Sequence, residues 1–156
     1  MTSSIDAYID QAAPEARPIL RQTVAADIPG IWTVRYAVQE NTLAPGRLSD
    51  EDARREIEDT GRGWVIEVDG QIEAFAIGNG QSGNVWALFV RPQAQGRGYG
   101  TALHAKMIAW FRTQRLDRLW LSTGTDTKAR QFYEKHGWTC VGAYGTDEVR
   151  YERPNT

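Results

Sequence analysis

Cysteine is almost absent: Cys140 is the only one in 156 residues. No intramolecular disulfide framework can form from it, and no Cys/His cluster has the spacing of a zinc site. An excess of charge is missing as well. With 18 Lys and Arg against 20 Asp and Glu, the net charge is −2, which leaves no basic field to drive binding to nucleic acid or an anionic membrane. No apolar run approaches the length that spans a bilayer, and Met1 to Arg17 lacks the basic stretch and apolar stretch of a secretion signal. A cytoplasmic protein without metal is the default expectation. Gly at 15 and Pro at 6 are near average usage, which excludes collagen-like and low-complexity chains. What is present is 41% hydrophobic and 24% charged, an ordinary composition at about one domain's length.

Near Pro14 to Pro18 there is one soft boundary, which divides an extension, residues 1–17, from a domain, residues 18–156. Ile5, Tyr8, Ile9 and Ala12 recur at helical spacing in the extension. Ile19 and Leu20 begin a strand, and Asp27, Ile28 and Pro29 give helix-start chemistry for a segment reaching about Glu40. After the loop Asn41 to Leu48, Ser49 and Asp52 have capping-box spacing for a largely solvated helix through Ala53 and Ile57, ending at Thr60 and Gly61. Trp64 to Val68 and Gln71 to Ile77 form a hairpin through Asp69 and Gly70, a pair suited to a type I′ turn. Val85 to Val90 is almost wholly apolar and reads as a central strand. A helix over Gly100 to Arg115 carries Leu103, Met107, Trp110 and Phe111 on one face. The strand Leu119 to Ser122 leads to a helix over Asp126 to His136 with Asp126 as cap and Gly137 as stop, followed by two short strands, Thr139 to Ala143 and Val149 to Glu152.

Two glycine-rich stretches differ in context. Gly78, Gly80 and Gly83 fit G-x-G-x-x-G, but a strand follows them, so no helix N-terminus is available to hold a pyrophosphate, and a hairpin turn is expected. Gln95, Gly96, Arg97, Gly98, Tyr99, Gly100 and Thr101 stand between the apolar strand and the helix through Leu103. That order presents amide donors and a positive dipole end to phosphate. The stretch has Leu103 where the Rossmann pattern needs its third glycine, and it lacks the Gly-Lys-Ser/Thr ending of a P-loop.

With Gln95, Gly98 and Gly100 in LFVRPQAQGRGYGTAL and Ala129, Tyr133, Glu134, Lys135 and Gly137 in DTKARQFYEKHGW, the chain resembles the GNAT superfamily of acetyl-CoA-dependent N-acetyltransferases from about Ile19 onward. The resemblance implies an α+β (α/β three-layer) fold. Its mixed, mostly antiparallel sheet of six to seven strands is flanked by about four helices and splayed between the fourth and fifth strands, with coenzyme A in the opening. Gly96 to Thr101 would hold the pyrophosphate, Leu88, Phe89 and Val90 would pair with the pantetheine amides, and Ala129 and Phe132 would line the same cleft. The implied reaction is direct attack of a primary amine, borne by a small molecule or a protein, on acetyl-CoA in a ternary complex.

The resemblance also makes Tyr133 the general acid, although helical spacing alone would put it in a core stripe with Ala129 and Phe132. A tyrosine near pKa 10 is a weak donor to a thiolate near 8.5, so hydrogen bonding matters as much as transfer. The strand Val85 to Val90 has no carboxylate to serve as base. Glu40, ahead of the loop that shapes the acceptor site in relatives, is the first expectation for base or anchor, and Glu73 the second. Trp32, Tyr36 and Trp86 are expected to line the acceptor pocket, while six tryptophans also suit a core or a homodimer surface. His104, His136 and Cys140 are read as structural. A noncatalytic acyl-CoA-binding module is the competing reading. It would keep the glycine loop but need neither Tyr133 nor a base.

Overall fold

The computed structural model describes residues 17–38 and 48–156. The extension through residue 16, the base candidate Glu40 and residues 41–47 of the following loop lie outside the described residues. Within them the order is β1 (Ile19–Gln22), α1 (Ile28–Ala37), α2 (Asp50–Arg54), β2 (Gly61–Val68), β3 (Gln71–Asn79), β4 (Val85–Val90), α3 (Tyr99–Phe111), β5 (Arg118–Gly124), α4 (Lys128–Lys135), β6 (Thr139–Tyr144) and β7 (Glu148–Pro154). The chain therefore has the expected mixed α+β architecture.

The first four strands form an antiparallel sheet in the order β1-β2-β3-β4, and the rest form a second antiparallel sheet in the order β5-β7-β6. A single parallel bridge, Asn84 to Trp120, joins them, with the Trp120 N–H donating to the Gly83 carbonyl at 3.0 Å. Beyond that bridge β4 and β5 share no ladder among the described residues. The splay between the fourth and fifth strands is the opening that results. The run Val85 to Val90 is thus the edge of its own sheet, and it becomes central only through the bridge.

Alternation along the strands sorts the core into two layers. Trp64, Ile66, Ala74 and Ala76 pack with Leu103, Met107, Ile108 and Phe111 of α3. Val65, Phe75 and Ile77 pack with Ile28, Ile31 and Val34 of α1 and with Ala53 and Ile57. In β4 the phase breaks: Ile77 opposes Ala87 while Gly78 opposes Val85, so Trp86 is the extra residue of a bulge. Val85 therefore joins the α3 layer, whereas Ala87, two residues on, joins the α1 layer.

Local chemistry explains most element ends. Asp69 and Gly70 have φ of 51° and 77°, as a type I′ turn requires. The Ser49 and Asp52 capping box forms at α2. Gly137 has φ of 88°, and the Trp138 N–H donates to the Tyr133 carbonyl at 3.0 Å, closing α4 in a Schellman motif.

Several expectations are corrected. Thr127, extended at φ −133°, precedes α4 and donates its Oγ1 hydrogen bond to the Gly124 carbonyl at 3.2 Å, so the helix starts later and Asp126 is not its cap. The helix from Ser49 is largely solvated as expected, with Ala53 and Ile57 buried, but it ends in a π turn, Arg55–Asp59. The last strand runs to Pro154 and is the middle of its sheet, pairing with both β5 and β6. α1 stops at Ala37, short of Glu40, and α3 stops at Phe111.

Candidate active site

The divergence of β4 from β5 leaves two cavities that meet at Leu88, Phe89, Ala129 and Tyr133. The larger, about 470 Å³, also takes in Val90, Gln95, Gly100, Lys128 and Phe132. The smaller, about 230 Å³, lies on the α1 side and is reached by Trp32, Arg35, Trp86, Trp120 and Glu148.

Of the loop expected to hold the pyrophosphate, Gln95 and Gly100 line the larger cavity while Gly96, Arg97, Gly98, Tyr99 and Thr101 do not; the donors an anion needs lie in the loop and helix start beside it. Gly96 and Gly98 have φ of 81° and 84°, and a Cβ at either would meet nothing within 4 Å, so backbone conformation rather than space calls for glycine there. α3 makes its first hydrogen bond from Ala102 N–H to the Gly98 carbonyl, at 3.1 Å. The amides of Tyr99, Gly100 and Thr101 precede that ladder, at the positive end of a 13-residue helix. The Tyr99 side chain is buried in the core, so backbone is what it can offer, while Arg97 and Thr101 are exposed at the loop.

Register supplies a second row of groups. Arg91 N–H donates to the Glu73 carbonyl at 2.9 Å, and Phe89 opposes Phe75. By alternation Leu88 and Val90 then turn their N–H and C=O toward the open edge. Gln95 Nε2 donates to the Val90 carbonyl there, at 3.3 Å. An extended chain carrying amides fits that edge as an added strand.

Tyr133 stands in the wall shared by both cavities. Its ring is enclosed by Phe132, Trp138 and Tyr151 at centroid distances of 5.3, 5.8 and 6.4 Å. Burial pushes its hydroxyl above the ordinary tyrosine range, because a phenolate there would lose its hydration. α4 is held in place on either side of it. Tyr151 donates to Glu134 at 2.6 Å and accepts from Arg130 Nε at 2.9 Å, so residues one turn apart grip the middle strand of the second sheet. Phe132 stacks on His136 at 4.2 Å and lies edge-on to His104 at 5.8 Å. Buried His104 accepts from Trp138 Nε1 at 3.0 Å. Burial, then the charges of His136 and Arg153, lower its pKa to about 4.

In the smaller cavity Trp32 and Trp86 are present as lining residues, whereas Tyr36 is exposed, stacks on Trp32 at 5.9 Å and lines neither cavity. Trp32 is itself fixed by donating its indole N–H to Asp50 at 2.6 Å. Glu73 lines neither cavity and pairs with Arg91 at 3.3 Å. Cys140 is exposed on β6. Arg35, Trp120 and Glu148 line the cavity without having been singled out in the sequence. For Arg35 a signal existed: Ile31, Trp32 and Arg35 recur at helical spacing on one stripe. Trp120 and Glu148 gave none, since they reach the cavity only through the docking of the second sheet. Among the described residues no group of three metal-ligating side chains occurs, and no helix is long and apolar enough to cross a membrane.

Comparison with known proteins identifies the family and the fold. The sequence profile described as the acetyltransferase (GNAT) family matches residues 30–138. A mycothiol acetyltransferase of Beutenbergia cavernae is 33% identical over 87 residues, covering 52% of this chain and 29% of the relative. The match thus spans less than a third of that relative's length. The crystal structure of the ribosomal-protein-S18-alanine N-acetyltransferase of Escherichia coli superposes with a TM-score of 0.73 at 18% identity, over 90% of this chain and 95% of that one. The PaiA N-acetyltransferase of Thermoplasma acidophilum, solved with coenzyme A, superposes at 0.74 with 14% identity, over 88% and 99%. At such identities the likeness is one of fold.

Proposed function

Because the chain belongs to the acetyltransferase (GNAT) family, we propose that it transfers the acetyl group of acetyl-CoA to a primary amine by direct attack within a ternary complex. The observation that carries this reading is the pair of cavities meeting at Leu88, Phe89, Ala129 and Tyr133. One can hold the coenzyme and the other the amine, with the acyl carbon at their junction.

The larger cavity and the glycine loop that meets it at Gly100 fit the coenzyme. The amides of Tyr99, Gly100 and Thr101 serve the pyrophosphate, and the open edge of Leu88 to Val90 serves the pantetheine. Acetyl-CoA supplies an activated thioester: the amine nitrogen bonds the acetyl carbon, the carbon–sulfur bond breaks, and an amide and the coenzyme thiol are the products. The N–H of Val90 donates to the carbonyl oxygen as negative charge grows on it. Tyr133 donates a hydrogen bond to the departing sulfur, and its raised pKa makes holding the proton in that bond more important than giving it up. Glu148, in the amine's cavity, takes the proton that an ammonium must lose before it can attack. It replaces Glu73, whose carboxylate is paired with Arg91, as the described carboxylate closest in role to a base.

The test is acetyl-CoA binding by calorimetry, followed by thiol release against a panel of amines. Binding with amine-dependent release supports the reading. Binding without release from any amine supports a noncatalytic acyl-CoA module, and no binding removes the assignment of the glycine loop.

A further inference from the structure

The smaller cavity contains a cation that no carboxylate among the described residues neutralises. Arg35 lies in the last turn of α1, one turn beyond Ile31 and Trp32, and its guanidinium carbon sits 4.2 Å from the centroid of the Phe89 ring. Its Nη1 is buried and has no hydrogen-bond partner among the described residues. No described carboxylate pairs with it, in contrast to Arg21, Arg54, Arg91 and Arg118, each of which meets an Asp or Glu within 3.3 Å. Burial accordingly lowers its pKa from the usual arginine value. A half-buried guanidinium with one N–H group left without a partner carries a desolvation cost. Its planar fork of N–H donors matches the two oxygens of a carboxylate, and the aromatic ring beneath it holds the plane of the fork.

Resting on the reading of this cavity as the amine's, we propose that the acceptor is a small molecule carrying a carboxylate as well as its amine, with Arg35 as the residue that binds the carboxylate. The cavity lining carries both a cation and a carboxylate. Arg35 comes from α1, Glu148 from the second sheet, and Tyr133 and Phe89 from the wall shared with the coenzyme cavity. A zwitterion seated between Arg35 and Glu148 places its nitrogen near the carboxylate that takes its proton. The volume of about 230 Å³ is below the range of about 300–1,000 Å³ common for drug-sized ligands, which suits a molecule the size of an amino acid. Trp32, Trp86 and Trp120 supply apolar walls.

Matched pairs of amines test the proposal: amino acids, their carboxamides and their phosphonate analogues, assayed by thiol release with saturating acetyl-CoA. In the wild type the carboxylate member should have a kcat/KM higher by about 10- to 100-fold, the range of a charge-assisted contact. Arg35→Met should collapse that ratio to within about twofold, Arg35→Lys should leave an intermediate ratio, and both should keep the wild-type affinity for acetyl-CoA. A second readout needs no turnover: N-acetylated amino acids should quench tryptophan fluorescence saturably in the wild type but not in Arg35→Met, with melting curves verifying that both are folded. Equal rates for acids and amides, a ratio that survives in Arg35→Met, a preference for phosphonates, or acetylation of proteins only would overturn the proposal. So would the absence of both turnover and carboxylate-dependent quenching. If acetyl-CoA does not bind while quenching persists, the transferase reading fails and the carboxylate site stands.

Discussion

Acidification should destabilise this protein through one buried imidazole. His104 is 5% exposed, its Nε2 is occupied by the Trp138 indole N–H at 3.0 Å, and its pKa lies near 4 against 6.5 for an exposed histidine. Between those two values the unfolded chain binds the proton and the folded chain does not. Stability from this residue is therefore fully present above pH 6.5 and is lost as the pH falls toward 4. Moving from pH 7 to pH 5 costs about 2 kcal/mol by the linkage relation, equivalent to a drop of about 4–8 °C in melting temperature for a domain of this size. His136, whose ring centre is 4.9 Å away, contributes to the lowering of the His104 pKa. Asp27 does not interfere, because its pairing with Arg21 holds its carboxyl below the ordinary range. The assay is urea denaturation at pH 7 and pH 5 for the wild type and for His104→Gln, which retains an acceptor for Trp138. The variant should lose most of the pH dependence. An undiminished slope in His104→Gln, or a His104 imidazole resonance titrating near 6.5, would refute the reasoning. Because His104 packs against Phe132 in the coenzyme cavity wall, acetyl-CoA affinity should weaken over the same pH range.

Three substitutions test other parts of the structure. Tyr133→Phe should lower kcat by about 100-fold or more, as expected for a positioned proton donor, while calorimetry shows acetyl-CoA affinity within about twofold; unchanged turnover would remove the hydroxyl from the reaction. Gly98→Ala forces an alanine to φ 84° with open space around its Cβ, so thermal melts should show a loss of about 1 kcal/mol, and calorimetry a weakening of coenzyme binding as the amides after it shift. Asp27→Asn breaks a fork in which Arg21 donates two hydrogen bonds of 2.8 Å. Since Arg21 is 34% exposed at its side chain, the loss at pH 7 should be about 1–2 kcal/mol. That difference should vanish as the pH falls below the depressed pKa of Asp27, because the stability it adds exists only while the carboxyl is ionised.

The two halves of the site differ in how they are written into the chain, and this decides what could be read from sequence. The coenzyme side is built from backbone. A glycine that must adopt a positive φ, a helix that begins directly after it and a strand with an open edge are all local features. The stretch Gln95 to Thr101, the run Val85 to Val90 and the stop at Gly137 therefore declare themselves by residue type and spacing. The one device on that side that stayed hidden is the bulge at Trp86, since an extra residue in a ladder shows only against its partner strand. The acceptor side is built from side chains drawn from α1, β5 and β7, which meet only because β4 and β5 are bridged at Asn84 and diverge thereafter. Glu148 sits in a hairpin of a sequence with no catalytic signature, and Arg35 reads as an ordinary helix-end cation until its Nη1 is found buried with no partner among the described residues. The base candidates legible in the sequence, Glu40 after the first helix and Glu73 on β3, belong to the first half of the chain, whereas the described carboxylate that lines the smaller cavity, Glu148, comes from the second sheet. It follows that the glycine loop and Tyr133 can be kept while Arg35 and Glu148 are replaced, which would leave the acyl donor the same and change the acceptor. On the proposed reading, acceptor choice in this protein rests on a few side chains on elements far apart in sequence, and exchanging Arg35 alone should move it.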